Sequence, residues 1–368
     1  MRLADLPTPC LVLDRRKLDR NLERMAAAVA RQRVALRPHM KTAKSIEVAR
    51  LALKGQPGGI TVSTLAEARY FAGHGIADMI YAVGITPAKL DAVAALNAAG
   101  ASVKVITDDP AAAAAIASHP GEIRALVEVD CGEHRGGMAP DDARLLEVAA
   151  RLGRRLAGVL THAGHSYAGR RIAEMAEIAE QERATIVAAA RLLREAGHAV
   201  EIVSMGSSPT ALHAEHLDGV TEVRAGVYMF GDLFQSEILT HAQEDIAVTV
   251  LASVIGLRPH EQTLLIDAGG LALSKDRSTQ AAPVDYGFGL VVAEDGSARL
   301  GRSVVRTAYQ EHGVVACDEG LPFPMLRVGD RVRVAPNHVC MTAAAYDRYY
   351  VVAGSDRVVA EWDRVNGW

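Results

Sequence analysis

The chain has little cysteine and no excess of basic charge. Its four cysteines, Cys10, Cys131, Cys317 and Cys340, are scattered without the spacing of a disulfide framework. In a chain of 368 residues such thiols read as reduced, with one a possible metal ligand. The net charge of −4 offers no basic field for nucleic acid. No apolar run reaches transmembrane length, and the opening Met-Arg-Leu-Ala-Asp-Leu-Pro lacks the apolar core of a signal peptide. Internal repeats and low-complexity linkers are missing too. What is left is an ordinary soluble profile, 49% hydrophobic and 23% charged, with length enough for two domains. These absences exclude nucleic-acid and membrane partners and leave a cytoplasmic enzyme as the expectation.

Residues 37–44, Arg-Pro-His-Met-Lys-Thr-Ala-Lys, carry most of the functional signal. Pro38 disfavours helix for the residue before it, so a strand ends here and a loop begins. Lys41 then sits at a strand mouth beside His39 and Arg37. Desolvation or neighbouring cations can turn such an amine into a nucleophile toward carbonyls. The octapeptide taken alone also fits a plain basic surface loop.

From residue 34 to about 226, short β-like runs alternate with helical patterns. The runs fall at 34–37, 59–63, 78–83, 102–107, 123–130, 156–161, 200–204 and 220–224. Eight such strands match a (β/α)8 barrel over residues 15–245, with a doubly wound open sheet as the alternative. After residue 245 the texture becomes mostly β, with expected strands at 246–257, 262–267, 331–335 and 349–352. We expect a second, mostly β domain over 246–368, joined by a strand from residues 1–14.

Barrel enzymes carry their sites at the C-terminal strand ends. The polar and Gly-rich clusters of this sequence fall there: His39-Met40-Lys41, Asp130 to Arg135, Thr161 to Tyr167, Ser204 to Thr210 and Arg224 to Tyr228. Gly206-Ser207-Ser208-Pro209-Thr210 reads either as an anion site at a helix start or as a capped turn. Phosphate beside a nucleophilic lysine suggests pyridoxal phosphate. In the β domain, His338 and Cys340 are two apart. On a strand they would share one face and suit zinc with open coordination positions, or be two half-buried strand residues. Gln310-Glu311-His312-Gly313 adds polar groups able to reach the same cavity.

In order along nearly the whole chain, these motifs resemble the D-serine dehydratase-like and D-threonine aldolase family. The likeness includes Thr8-Pro9, residues 60–68, Val129-Asp130-Cys131-Gly132, Pro336-Asn337-His338-Val339-Cys340 and the terminal Gly367-Trp368. It implies a pyridoxal-phosphate lyase with an alanine-racemase-type barrel, a C-terminal β domain and a homodimeric assembly. By that resemblance Lys41 is the Schiff-base and catalytic lysine, Arg135 meets the cofactor's phenolic oxygen and His162 flanks its ring. Gly206, Ser207, Ser208, Gly226 and Val227 match the phosphate cup, and His39, Tyr167 and Tyr228 lie around the cofactor. Gln310 and His312 face substrate. His338 and Cys340 match the metal pair of the dehydratases, for zinc before manganese or magnesium. Bacterial D-threonine aldolases more often carry aspartate where Cys340 stands, which favours a dehydratase of D-serine or D-threo-3-hydroxyaspartate. Retro-aldol cleavage is the alternative, followed by a racemase and a pyridoxal-phosphate carrier. Two positions depart from the pattern. Ala43 replaces a common histidine, and Arg224 aligns with the arginine that alanine racemases place at the pyridine nitrogen.

Overall fold

Runs rich in Val, Ile and Leu become strands buried on both faces, as parallel sheets require. Strand β1 (Cys10–Asp14) opens the chain. Eight strands then alternate with helices: β2 (Ala35–Pro38), β3 (Ile60–Val62), β4 (Asp78–Gly84), β5 (Ser102–Thr107), β6 (Arg124–Val129), β7 (Leu156–Thr161), β8 (Ile202–Met205) and β9 (Glu222–Ala225). The computed structural model describes residues 1–297 and 300–368. It divides into two units, Glu23–Gly226 with Val365–Trp368, and Met1–Leu22 with Val227–Arg364.

In the first unit all eight strands pair in parallel, in the order β2-β9-β8-β7-β6-β5-β4-β3. The two ends of that order meet at a single bridge, His39 to Thr61, where the Met40 N–H donates to Thr61 O at 2.8 Å. The sheet is thus a nearly closed (β/α)8 barrel, and the seam lies next to Lys41. Helix starts follow local signals. Thr64 accepts from the Glu67 N–H, and Asp109 accepts from Ala112 N–H just before Pro110. Close approach of β7 and β8 requires glycine, since a Cβ on Gly158 would stand 1.9 Å from Ile202 O. Ile80, Ile106, Leu126 and Leu160 pack together in a fully buried cluster. Each such side chain contributes about 1.5–3 kcal/mol.

The second unit contains β10 (Val248–Arg258), β11 (Thr263–Ile266), β12 (Leu290–Ala293), β13 (Ser303–Ala308), β14 (Gly313–Ala316), β15 (Arg331–Ala335), β16 (Arg348–Val352) and β17 (Val358–Asp363). With β1 they form one sheet, β11-β14-β13-β12-β15-β10-β1-β16-β17. An extra β10–β11 pairing closes six of these strands on themselves. β1 runs antiparallel to β10 and parallel to β16. Sequence reading finds β10, β11, β15 and β16 but not β12, β13, β14 or β17. All four pair antiparallel with a strand next to them in sequence, so their pairing more than their composition makes them strands. Among the described residues no helix is long and apolar enough to cross a membrane.

Candidate active site

Lys41 lies just beyond β2, exposed, between the half-buried His39 and the buried Thr42. Lys44 differs. Its ammonium is 3.3 Å from the buried Glu67 carboxylate, which also accepts the Ser63 N–H at 3.0 Å. Local structure therefore holds Lys44, and Lys41 is the lysine presented at the barrel mouth.

The neighbours of Lys41 form a mutually repelling set. Burial, then the positive charges of Lys41 and Arg224, hold His39 well below the usual histidine range. Burial and Lys41, joined by Arg135 and Arg224, depress His162 to about 3. Both imidazoles are neutral at pH 7. His162 Nδ1 donates to Gly206 O at 2.9 Å, and its ring centroid is 6.4 Å from that of Tyr167. Arg135 is exposed and 3.3 Å from Glu133. A site of one amine, two guanidinium groups and neutral imidazoles favours an anionic ligand.

Arg224 is tied down within the sheet. Its guanidinium donates to Ser204 Oγ at 2.7 Å and to Thr161 O. Ser204 in turn donates to Glu222 Oε1 at 2.6 Å, and Glu222 Oε2 accepts from Arg37 Nε at 2.8 Å. Register places Arg37 beside Arg224 and Ser204 beside Glu222, so one face of the barrel sheet carries a buried, fully bonded ionic chain. Gly226 follows directly. A Cβ there would lie 2.7 Å from His39 O, so glycine lets the end of β9 close on the Lys41 loop.

The Gly206–Thr210 turn is where the structure changes the sequence reading most. Backbone amides of Gly206 and Ser207 were expected to face an anion. The Gly206 N–H instead donates to Glu182 Oε1 at 2.9 Å. The Ser207 N–H donates to Thr210 Oγ1 at 3.0 Å, and Ser207 Oγ accepts the Thr210 N–H at 3.2 Å, a capping box. Ser207 Oγ also bonds Ser166 Oγ at 2.9 Å. Gly206 and Ser207 thus shape the turn and present Ser208, the first residue of the helix Ser208–His213. With a positive field, a helix start and an exposed lysine at one mouth, the residues fit a phosphorylated aldehyde cofactor.

In the other unit, His338 and Cys340 do not sit on a strand. The segment Val339–Ala343 is a short helix with His338 as its N-cap. The physical cause is Asp232. Its Oδ2 accepts the Val339 N–H at 3.0 Å while Oδ1 accepts the Gln235 N–H at 2.8 Å, so one buried carboxylate caps two helices. The His338 ring still bonds the Cys340 side chain. Burial opposes protonation of His338, but Cys340, Asp232 and Asp276 outweigh it and raise the imidazole to about 9. Burial pushes Asp232 itself up to about 6. Asp276 Oδ2 stands 3.9 Å from His338 Nδ1. Among the described residues there is no group of three or more His, Cys, Asp or Glu suited to a metal. Imidazole and thiol in contact, backed by carboxylates, remain a donor set that fits a zinc-like cation with open positions.

Gln310 and His312 are exposed in the turn between β13 and β14. That turn is tied to the helix Gly270–Leu273, with the Leu271 N–H donating to Gln310 O at 3.1 Å. The same helix accepts Thr342 Oγ1 at Leu273 O, 2.8 Å, which links the turn to the His338 helix. Val227 and Tyr228 begin a buried 3-10 turn, Val227–Met229, and burial raises the Tyr228 phenol.

Sequence reading missed Glu182, Asp232 and Asp276. Glu182 had a signal. It interrupts the buried stripe Met175, Ala179, Ile186, Ala189 and Leu193 of the helix Ile172–Glu195, where a lone carboxyl needs partners.

The depressed His162 has a consequence for acid stability. Between pH 6.5 and about 3 the unfolded chain binds a proton at this residue that the folded protein refuses. Stability from this group is intact above pH 6.5 and falls as pH drops through that window. A His162→Gln variant is expected to lose less stability than wild type between pH 6.5 and 4, read from urea midpoints. Parallel curves for the two proteins would contradict this.

Residues 13–233 match the alanine racemase N-terminal domain, and residues 247–352 match a putative serine dehydratase domain. Over 381 residues the chain is 42% identical to the D-threo-3-hydroxyaspartate dehydratase of Delftia sp. (strain HT23), covering 100% of this chain and 99% of that one. It is 28% identical to the D-serine dehydratase of Dictyostelium discoideum, covering 100% and 98%. A cysteine-to-alanine mutant of D-threo-3-hydroxyaspartate dehydratase, solved in the metal-free form, superposes with a TM-score of 0.96 at 40% identity over 100% of both chains. That superposition spans both the barrel and the closed β sheet. The chain belongs to the fold-type III pyridoxal-phosphate family that joins an alanine-racemase N-terminal domain to a serine-dehydratase domain.

Proposed function

We propose that this protein is a pyridoxal-phosphate- and divalent-metal-dependent dehydratase of D-threo-3-hydroxyaspartate, releasing a 2-oxo acid and ammonia. The observation that carries this reading is the His338–Cys340 contact at the start of the Val339–Ala343 helix. The end-to-end identity to a dehydratase of this substrate supports it. Thiol and imidazole donors favour zinc over manganese or magnesium. All four cysteines are free thiols, which suits a cytoplasmic setting, and we read the working form as a homodimer.

Lys41 would hold the cofactor covalently, with Arg135 at its phenolic oxygen and His162, Tyr167 and His39 around the ring. Ser208, with Gly226 and Val227, would hold its phosphate, Gly206 and Ser207 shape the turn that presents Ser208, and Tyr228 lies next in sequence. Bound pyridoxal phosphate supplies an electron sink for charge at the substrate's Cα, and a bound divalent metal supplies Lewis acidity for its hydroxyl. Lys41, once its amine is released, takes the α-proton. His162 competes poorly for that proton, since burial and the nearby Lys41 cation depress its basicity to a pKa of about 3. The substrate loses H from Cα and OH from Cβ as water. Hydrolysis of the resulting imine then gives ammonia and the 2-oxo acid. Gln310 and His312 are the residues we place toward substrate.

Product analysis tests the reading. Holoenzyme with D-threo-3-hydroxyaspartate should give equal amounts of 2-oxo acid and ammonia, with D-serine a slower substrate. Glycine plus an aldehyde from D-threonine, with no 2-oxo acid from any of the three, would establish an aldolase instead.

A further inference from the structure

We propose that Glu182 is a positioning residue that fixes the His162 imidazole in one tautomer and one orientation. Glu182 is fully buried on the helix Ile172–Glu195 that connects β7 to β8. Its Oε1 accepts two backbone amides, Ala163 N–H at 2.9 Å and Gly206 N–H at 2.9 Å. Ala163 follows His162 in the chain, and Gly206 O accepts His162 Nδ1–H at 2.9 Å. The bonds close a ring that runs from Glu182 through Ala163 to His162, across to Gly206 and back. His162 is therefore gripped at its backbone and at its ring nitrogen by two loops that share one carboxyl. The Ser207 N–H and hydroxyl each bond Thr210 Oγ1 at 3.0 Å, so the residue after Gly206 ties the start of the Ser208–His213 helix to the same knot.

The chemistry of the knot explains why a planar oxygen acceptor is there. Two amides from different loops converge on one point, and a side chain with a planar oxygen acceptor satisfies both. Burial raises the pKa of the carboxyl, while the amides and Thr210 act against it. With Nδ1–H given to Gly206 O, the free lone pair of His162 is on Nε2. The ring then presents a neutral, fixed face, as a group that flanks a planar cofactor needs to. The inference rests on the placement of His162 at the cofactor ring.

The test compares wild type with Glu182→Gln, Glu182→Met and Glu182→Asp in full-length protein carrying 15N-histidine. His162→Gln identifies the resonance. Two-bond nitrogen spectra report the tautomer, and titration of the cofactor-free protein reports affinity for pyridoxal phosphate. Wild type and Glu182→Gln should both show Nδ1–H, since the Gln oxygen accepts the same two amides. Glu182→Met should lose the single tautomer and bind cofactor at least about tenfold more weakly, the range expected when an outer supporting group is removed. If Glu182→Met does not fold, Glu182→Asp takes its place, because a side chain one methylene shorter cannot reach both amides. A folded Met or Asp variant with a pure Nδ1–H signal and wild-type affinity would overturn the proposal. If cofactor leaves the wild-type His162 resonance unmoved, the placement of His162 at the ring has failed. The tautomer comparison still decides the role of Glu182 separately.

Discussion

Lys41→Ala is expected to lower turnover by ~10³-fold or more and to abolish the visible absorbance of the bound cofactor. Two functions vanish together, the covalent hold and the base at Cα. The structure sharpens this expectation by separating Lys41 from Lys44. Lys44 pairs with Glu67, a carboxylate that also orders the Ser63–Thr64 turn. Breaking that pair should cost stability and leave the absorbance in place. Lys41 is exposed, with neutral imidazoles about it, and its replacement should leave the urea midpoint close to wild type. Borohydride reduction of the holoenzyme followed by peptide mapping should put the label on Lys41. A label on Lys44, or on no lysine, would refute the assignment.

The second large effect concerns the metal pair. Chelation is expected to stop formation of 2-oxo acid while the cofactor absorbance persists, because the cofactor site proposed at Lys41 draws on barrel residues and not on His338 or Cys340. Cys340→Ala should cut turnover by at least ~10²-fold. Added divalent metal should restore the chelated wild type and restore this variant poorly. Two protein donors already make a sparse site, so loss of one leaves a single imidazole. Were His338 and Cys340 purely structural, chelator would change nothing and the variant would lose only stability. Full turnover in metal-free enzyme would remove the metal from the mechanism.

Much of the barrel was legible because its signals are local. Val- and Ile-rich runs and Pro38 at a strand end speak through a few neighbouring residues. Strands β5 and β7 fall on the residues expected from those runs. Clusters at the strand ends, Lys41 among them, follow from the same reading plus the geometry of barrels. The β unit was less legible. Its short strands β12, β13 and β14 pair through hairpins and closure, which composition does not encode.

Residue order alone determined the alternating strand–helix plan, the position of Lys41 at a strand mouth and the proximity of His338 to Cys340. Tertiary structure decided which partners those groups and their neighbours meet. Asp232 lies over 100 residues before Val339, yet its carboxylate caps that N–H and turns an expected strand into a helix. Glu182 takes the Gly206 amide that an anion was expected to meet. Glu67 takes Lys44 and so leaves Lys41 as the lysine presented at the barrel mouth. In each case a buried carboxylate far along the chain must find partners, and the groups it selects are fixed only when the fold brings them within hydrogen-bond reach.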